Sequence, residues 1–322
     1  MAIRITGTGS ALPANRVTND DLAKFMDTSD EWIAERTGIR SRYISTNETV
    51  ADLAASACKK ALENGNTSPE EIDLLMVATC SPEDYLPCIA CQVQARLEMK
   101  HAVAFDLNAA CSGFLFALNT AYAYLKSGIY KKAMIVGAEV LSKIVDWQDR
   151  GTCILFGDGA GACIVETKGE KGGILGFAQH SDGSKGSVLS CNARKLINPY
   201  CQEEDEKGYV KMDGREVFGF ATRQVPLVLK EAIENAGLTP AQIDYFVLHQ
   251  ANSRIIECVS KRIGEPMDKF PMNIDRVGNM SSASLPVLLD ELNKEDRLKP
   301  GMKIALAGFG EGLTDGGCVM EW

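Results

Sequence analysis

Short runs of consecutive apolar residues alternate along the chain with longer segments whose apolar residues recur every three or four positions. Residues 133–140 (AMIVGAEV) and 303–309 (KIALAGF) are apolar at nearly every position, which is typical of strands buried on both faces. Residues 53–64 (LAASACKKALEN) have the spacing of a helix with one buried face. The alternation predicts an α/β fold built from layers of helices and sheets.

The same pattern occurs twice. Residues 61–73 (ALENGNTSPEEID) and 232–244 (AIENAGLTPAQID) are identical at six of thirteen positions, at a separation of 171 residues. The same separation aligns the strand-like segments 134–137 (MIVG) and 305–308 (ALAG). A single separation that holds over such distant segments indicates a duplicated αβ unit.

The duplication predicts two halves, residues 1–168 and residues 169–322, which join in the segment TKGEKGG (residues 167–173). No stretch rich in Pro, Gly and Ser separates the halves, so we expect no flexible linker between them. A charged segment, CQEEDEKGY (residues 201–209), follows in the second half. We expect this segment to be a mobile insert.

The composition excludes several classes of protein. A net charge of −9 lacks the basic footprint of a nucleic-acid binder. No apolar run reaches the roughly 20 residues of a membrane span, and the first residues lack the pattern of a secretory signal. The 11 cysteines, an odd number scattered along the chain, do not resemble a disulfide framework. We therefore expect reduced cysteines in a cytoplasmic protein that binds neither membrane nor nucleic acid.

One cysteine, Cys111, lies where a nucleophile would be placed. It follows the strand-like residues 102–107 (AVAFDL) and opens the helix-like residues 112–125. Unpaired amides and the dipole at a helix N-terminus favour a thiolate, and a nearby histidine would favour it further. From these residues alone, a nucleophile and an ordinary buried cysteine remain equally open.

Two further positions are candidates for a site with Cys111. The possible bases are the three histidines of the chain, His101, His180 and His249. His249 ends a strand-like run, and strand carboxyl ends face the ligand crevice in open α/β sheets, although any of the three could be a surface or capping histidine. Asn279 aligns with Asn108 in the repeat and is either a helix cap or a donor to an oxyanion. The repeat predicts that Cys111, His249 and Asn279 meet at equivalent ends of related strands.

Six segments of the chain, in order from near the N-terminus to the last apolar run, resemble the β-ketoacyl-acyl-carrier-protein synthase III family. They are DTSDEWIAERTGIRSR (27–42), DLNAACSGF (106–114), FGDGAGA (156–162), LHQANSRII (248–256), RVGNMSSAS (276–284) and GFGEGLTDGG (308–317). The resemblance implies a thiolase-like fold, with two duplicated αβ halves in five layers ordered α-β-α-β-α.

The resemblance also implies a reaction, a decarboxylative Claisen condensation that initiates fatty acid synthesis. Cys111 would take a short acyl group, acetyl or a branched primer, from acyl-CoA. His249 and Asn279 would then stabilise the enolate formed when malonyl-acyl-carrier-protein loses carbon dioxide. The backbone amides of Cys111 and Glu311 would form an oxyanion hole. No metal or permanently bound cofactor is implied, and the family resemblance implies a homodimer.

The resemblance assigns a coenzyme A site and a docking surface. Trp32 would stack on adenine, with Arg36 and Arg150 near adenine and phosphates, and Asn252 would contact the pantetheine arm. Ordinary roles for these residues are a core tryptophan and solvated charges. The acidic carrier protein would need a local basic patch on this acidic chain. The residues that supply such a patch are Arg254, Lys261 and Arg262, which could equally be a solvated helix face.

Two positions depart from the family pattern. Leu86 stands where many relatives have an aromatic residue that closes the acyl pocket across a dimer interface. The smaller side chain either admits longer or branched acyl groups or is a packing variant. Glu311 stands where many relatives have glycine. We expect its carboxylate to point away from the oxyanion hole, so that Glu311→Gly leaves turnover nearly unchanged.

Two other functions remain open at this point. A ketosynthase III-like acyltransferase of specialised metabolism would keep the same three residues and change the substrate. A non-catalytic partner subunit of the same fold would only shape a dimer, although such subunits usually lose the cysteine.

Overall fold

The structure is a computed structural model that describes residues 1–193, 195–202 and 208–322. Residues 203–207, the centre of the expected mobile insert, therefore lie outside the described residues. The described strands are β1 (Ile3–Ala11), β2 (Arg16–Thr18), β3 (Ser41–Tyr43), β4 (Leu74–Ala78), β5 (Val103–Leu107), β6 (Lys132–Glu139), β7 (Gly159–Thr167), β8 (Gly173–Ser181), β9 (Leu189–Cys191), β10 (Ile197–Asn198), β11 (Cys201–Gln202), β12 (Val210–Met212), β13 (Tyr245–Leu248), β14 (Lys303–Gly310) and β15 (Thr314–Glu321). The described α-helices are α1 (Asn19–Leu22), α2 (Asp30–Thr37), α3 (Val50–Asn64), α4 (Ile89–Arg96), α5 (Gly113–Ser127), α6 (Gly214–Asn235), α7 (Ser253–Ile263), α8 (Ile274–Val277) and α9 (Ser284–Lys294).

Two main sheets organise the chain. The first has the strand order β1-β7-β6-β4-β5, with β4 parallel to both β5 and β6 and with β7 antiparallel to its neighbours. The second has the order β13-β14-β15-β8, in which β13 and β14 are parallel. The first sheet is drawn from residues 3–167 and the second from residues 173–321.

Alternate residues of each sheet pack on different helices, which produces five layers. Leu74 and Met76 of β4 face a central cluster that contains α5, α9 and Ile304 of β14, whereas Leu75 and its neighbours face α3 and α4. Ala305 of β14 faces a third cluster with α6 and α7. The order of layers is α3/α4, first sheet, α5/α9, second sheet and α6/α7. Apolar residues on both faces of a strand thus each find a helical layer to pack against, which explains the continuous apolar runs.

The separation of 171 residues is preserved in the secondary structure. Strands β4 and β13 begin at Leu74 and Tyr245, and β6 and β14 begin at Lys132 and Lys303. Helices α3 and α6 end at residues 64 and 235. The duplicated αβ unit predicted from the sequence is confirmed.

The duplication predicted that Asn279, like Cys111 and His249, follows the end of a strand, and for Asn279 this is wrong. Asn279 follows the short helix α8, and the described second sheet has no counterpart of β5. Two features keep this segment out of the sheet. Pro271 has no amide hydrogen to donate, and the Asn273 amide donates to the Gln250 side chain at 3.2 Å.

Among the described residues, no helix is both long enough and apolar enough to cross a membrane.

Candidate active site

Cys111 lies in a short 3₁₀ turn, Ala110–Ser112, between β5 and the 15-residue helix α5. Ala110 has a φ of 45°, and its amide donates to the Asn108 side-chain oxygen at 3.1 Å. The end of β14 lies against this turn. A Cβ on Gly310 would come within 2.9 Å of the Cys111 nitrogen, so only glycine permits this approach. The turn therefore presents Cys111 at the start of α5, with its amide beside the loop that follows β14.

Asn279 lies in a matching turn at the start of α9. Ser281 has a φ of 47°, and its amide donates to the Asn279 Oδ1 atom at 2.8 Å. The Asn279 backbone is held between Leu155 and Gly157, since its amide donates to Leu155 O and its carbonyl accepts from Gly157 N, each at 2.9 Å. These bonds leave the Asn279 Nδ2 group without a hydrogen bond to any described residue. The side-chain amide is therefore an oriented donor, and the FGDG segment supports it.

His249 follows β13, as expected, and its amide donates to Ala307 O at 2.8 Å. The side chain is 3% exposed, and within the described part of the chain neither ring nitrogen has a hydrogen-bond partner. Phe309 contacts the ring edge-on, with the centroids 5.5 Å apart. Burial lowers the pKa of His249 to about 3. The imidazole is therefore neutral at physiological pH, with one N–H available to donate.

The structure brings the three predicted residues together. Cys111, His249 and Asn279 line one cavity of about 130 Å³. Cys111 also lines a second cavity of about 450 Å³, whose wall includes Ser281 and Glu311. Cys111 therefore stands between a smaller cavity that holds both donors and a larger cavity that holds neither.

Burial outweighs the features that were expected to ionise Cys111. It raises the pKa of the thiol to about 12, and the charges of Glu311 and Glu139 act in the same direction. A hydrogen bond from the Ser281 side chain opposes this rise. The thiol form therefore predominates in the resting site, because burial outweighs the hydrogen bonds that favour the thiolate.

The side chain of Glu311 does not lie where it was expected. Its carboxylate was expected to point away from the oxyanion hole, but Glu311 lines the larger cavity with Cys111. Burial and the nearby charge of Glu139 raise its pKa. Burial raises the pKa of Cys80 and of Cys111, and the charge of Glu311 adds to the rise at both thiols. The reason is its position: Glu311 directly follows β14, whose last residue, Gly310, lies against Cys111.

Glu139 is a supporting residue that the sequence interpretation missed. Its buried carboxylate accepts hydrogen bonds from Ser81 Oγ at 2.5 Å, from Ser282 Oγ at 2.7 Å and from the Cys80 amide at 3.2 Å. Ser282 belongs to the turn that follows Asn279, so Glu139 ties the first sheet to the second turn. The available signal was an acidic residue in an otherwise apolar strand pattern, where an unpaired charge would be costly.

The residues predicted to bind coenzyme A lie together. The guanidinium carbons of Arg36 and Arg150 lie 4.5 and 4.8 Å from the centroid of the Trp32 ring. Asn252 caps α7, and its Nδ2 donates to the Arg36 carbonyl at 3.0 Å. Asn252 also lines the cavity that contains Cys111. Asn252 thus links the helix that carries Trp32 and Arg36 to the smaller cavity.

The remaining predicted residues lie outside both cavities. On α7 the exposed side chains are the three cations Arg254, Lys261 and Arg262 and one acidic residue, Glu257, and none of the three cations has an ion pair with a described residue. Leu86 is 86% exposed, whereas the cavity wall of its own chain ends at Tyr85. His101 is exposed in a turn, and His180 bonds Asp315 at 3.0 Å.

A duplicated five-layer fold, with a cysteine, a histidine and an asparagine on one cavity, defines a condensing enzyme of the thiolase fold. Sequence models of 3-oxoacyl-[acyl-carrier-protein] synthase III and of its C-terminal domain match residues 105–183 and 233–322. The β-ketoacyl-[acyl-carrier-protein] synthase III of Clostridium acetobutylicum is 52% identical over 100% of this chain and 99% of that protein. The chain belongs to the 3-oxoacyl-[acyl-carrier-protein] synthase III family of acyltransferases.

Solved structures agree with this assignment. The 3-oxoacyl-[acyl-carrier-protein] synthase III of Aquifex aeolicus has a TM-score of 0.93 and 43% identity, with 100% of both chains covered. The priming β-ketosynthase of the R1128 polyketide biosynthetic pathway also has a TM-score of 0.93, at 34% identity, with 99% of this chain and 96% of that chain covered.

Proposed function

We propose that this chain initiates fatty acid synthesis by condensing a short acyl group from acyl-CoA with malonyl-acyl-carrier-protein. The observation that carries the proposal is the convergence of Cys111, His249 and Asn279 on one cavity of about 130 Å³. Cysteine supplies a nucleophile that is also a good leaving group. The two other side chains supply unpaired hydrogen-bond donors where negative charge develops.

In the first step the Cys111 sulfur attacks the acyl-CoA carbonyl carbon. The carbon–sulfur bond to coenzyme A breaks, and the proton of the Cys111 thiol ends on the coenzyme A sulfur. The amides of Cys111 and Glu311 hold the oxyanion of the tetrahedral intermediate. Trp32 and its two arginines bind the nucleotide, and Asn252 orients the pantetheine arm. No base is consumed, because one thiol replaces another.

In the second step the malonyl group of malonyl-acyl-carrier-protein enters the smaller cavity and loses carbon dioxide. The electrons of the broken carbon–carbon bond move onto the thioester oxygen, which accepts hydrogen bonds from the His249 imidazole and from Asn279 Nδ2. A neutral imidazole donates without itself changing charge. The enolate carbon then attacks the acyl carbonyl, and Cys111 leaves as a thiolate. Its high pKa favours rapid return of a proton from water, which restores the resting thiol.

Docking of the carrier protein is proposed for the exposed face of α7. Arg254 is two residues from Asn252, which lines the catalytic cavity, so a carrier protein bound there would be close to the site. Opposite charges on the two proteins favour encounter at such a patch. The prosthetic arm could then follow Asn252 toward Cys111.

A homodimer is proposed from the first sheet. Its strand β5 lies at an edge, with Val103 48% exposed, and Leu86 is also exposed on the same half of the chain. An unprotected sheet edge is suited to pairing with a second copy.

The 11 cysteines, all within the described residues, form no disulfide bonds, which supports a cytoplasmic location.

The proposal is tested by intact-mass measurement after incubation with acetyl-, isobutyryl- and octanoyl-CoA. We expect an acyl adduct on the protein that is lost in Cys111→Ala and kept in Cys91→Ala, which removes an exposed cysteine outside both cavities. Addition of malonyl-acyl-carrier-protein should then discharge the adduct as β-ketoacyl-carrier-protein. Absence of any adduct would refute priming from acyl-CoA and favour a carrier-loaded substrate or a non-catalytic subunit.

A role in specialised metabolism is the second candidate, and the similarity to a priming polyketide ketosynthase is the observation that favours it. The acylated protein should be offered malonyl groups on the carrier protein of fatty acid synthesis and on a polyketide carrier protein. Faster discharge by the fatty acid carrier supports initiation of fatty acid synthesis. Faster discharge by the polyketide carrier supports the second candidate.

A further inference from the structure

The larger cavity is the place for the acyl chain, if the proposed function holds. An acyl group on Cys111 can extend only into a cavity that Cys111 lines, and the smaller one is the proposed site of the malonyl thioester, with His249, Asn279 and Asn252 on its wall. The larger cavity, of about 450 Å³, has one wall formed by apolar side chains. These are Leu141, Ile144, Phe156, Leu189 and Val210.

Glu311 places a carboxyl group on the wall of this cavity, and that group has no partner in the described structure. Only the Glu311 backbone carbonyl accepts a hydrogen bond, from Thr314 Oγ1 at 3.1 Å. Glu83, another acidic residue of the same wall, is in a different situation. Its carboxylate accepts from the Val50 amide at 2.8 Å and from Lys143 Nζ at 2.9 Å. No Lys or Arg is among the described residues that line the cavity.

An apolar acyl chain beside Glu311 would displace water from the carboxyl group without replacing its hydrogen bonds. Leaving a buried polar group unpaired costs about 1–3 kcal/mol, which corresponds to roughly 5- to 150-fold in rate or affinity. A hydroxyl on the acyl chain would replace the lost water as a donor. The carboxyl group therefore distinguishes two chains of equal length by their polarity rather than by their size.

We propose that Glu311 makes this acyl cavity select short acyl-CoA substrates that carry a hydrogen-bond donor, such as a hydroxyl group, over apolar acyl-CoAs of the same length. The selection deepens the proposed acyl transfer to Cys111 and rests on it. Glu311 contributes through its side chain to specificity and through its backbone amide to the oxyanion hole, and the two contributions are separable by substitution.

The experiment compares the second-order rates at which acetyl-, butyryl- and 3-hydroxybutyryl-CoA acylate Cys111, measured by intact mass. We expect the unmodified protein to react at least about tenfold faster with 3-hydroxybutyryl-CoA than with butyryl-CoA. Glu311→Leu should lose or reverse this preference. Glu311→Gln should retain part of it, because the amide oxygen still accepts a hydrogen bond. Glu234→Gln, which changes an exposed carboxylate on α6 outside both cavities, is the control, and its ratio should equal that of the unmodified protein.

Each outcome has a distinct meaning. Equal rates for the two four-carbon substrates, or an unchanged ratio in Glu311→Leu, would overturn the selection by Glu311. The proposed function would still hold in that case, provided that acetyl-CoA acylates Cys111. Absence of an adduct with every acyl-CoA would overturn the proposed function and the selection with it. If Glu311→Leu does not fold, Glu311→Gly provides the same comparison, since it retains the backbone amide and removes the carboxyl group.

Discussion

The Oδ1 atom of Asn279 accepts the amide hydrogen of Ser281 at 2.8 Å, and this bond decides how Asn279 acts. With the oxygen engaged, the side chain has one orientation, and only its Nδ2 group remains to bind a substrate. The bond is repeated in the first half, where Asn108 Oδ1 accepts the Ala110 amide at 3.1 Å. The asparagine is therefore a turn-forming residue and a hydrogen-bond donor at once.

Asn279→Asp separates these two roles. An aspartate keeps the oxygen that holds the Ser281 amide, but it replaces the donor with a second acceptor. We expect Cys111 acylation by acyl-CoA to be unchanged, and condensation to fall by about 10²–10³-fold because one donor to the enolate oxygen is lost. Intact mass measures acylation, and release of labelled carbon dioxide from malonyl-carrier-protein measures the second step. Equal loss of both steps would contradict a role confined to decarboxylation.

Burial of His249 predicts a specific pH dependence of stability. The pKa of His249 is about 3 in the folded protein, and that of an unfolded histidine is about 6.5. The unfolded state therefore binds more protons below pH 6.5, and the folded state loses stability as pH falls. The loss from this residue is about 2 kcal/mol between pH 7 and pH 5. The free energy of unfolding, measured by denaturant titration, should fall by that much more in the unmodified protein than in His249→Asn. Parallel pH curves would contradict a buried neutral imidazole.

Stacking of Trp32 with Arg36 and Arg150 predicts a defect limited to nucleotide-bearing substrates. Trp32→Ala should raise the KM for acetyl-CoA by about tenfold, because a cation–π and stacking contribution of 1–2 kcal/mol is lost. The thioester of N-acetylcysteamine lacks the nucleotide, so its acylation rate should be unchanged. Steady-state kinetics with both thioesters make the comparison. An equal effect on both would show that Trp32 supports the fold rather than the nucleotide.

Charge reversal on α7 tests the docking surface. Arg254→Glu should raise the KM for malonyl-acyl-carrier-protein several-fold and leave the KM for acyl-CoA unchanged, because only the carrier protein contacts this face. Lys100→Glu makes the same change of charge at an exposed position before β5, outside α7, and serves as the control. A matching effect of the control would indicate that net charge, rather than the α7 surface, governs the encounter.

Local patterns allowed much of the fold, and the residues that meet at the candidate site, to be predicted. The strand-like runs and the separation of 171 residues are patterns in the order of residues along the chain, so they can be recognised without knowledge of tertiary contacts. His249 could be placed because it ends a buried strand. Asn279 was placed at the end of a strand that does not form, since the hydrogen bond between the Asn273 amide and the Gln250 side chain is a contact that no periodicity records.

The orientation of Glu311 could not be predicted for a similar reason. Its position relative to Cys111 depends on the close approach of Gly310 to the turn that follows β5, a contact between segments about two hundred residues apart in the sequence. The extent to which burial opposes ionisation of Cys111 could not be predicted either. Local sequence reports the helix N-terminus, but the degree of burial depends on both halves packing around it. Tertiary contacts therefore decide the electrostatics even where the residues are correctly identified.

Ser282 has a structural partner where Cys111 faces the cavities. It occupies the position of Cys111 in the second copy, and its hydroxyl donates to Glu139 at 2.7 Å instead of facing a substrate. The first half thus presents a thiol to the cavities, whereas the second half anchors its turn and presents the oriented amide of Asn279. The two turns have a left-handed residue at equivalent positions, Ala110 and Ser281, and the candidate site takes one group from each turn, so under the proposed function neither half would catalyse the reaction alone.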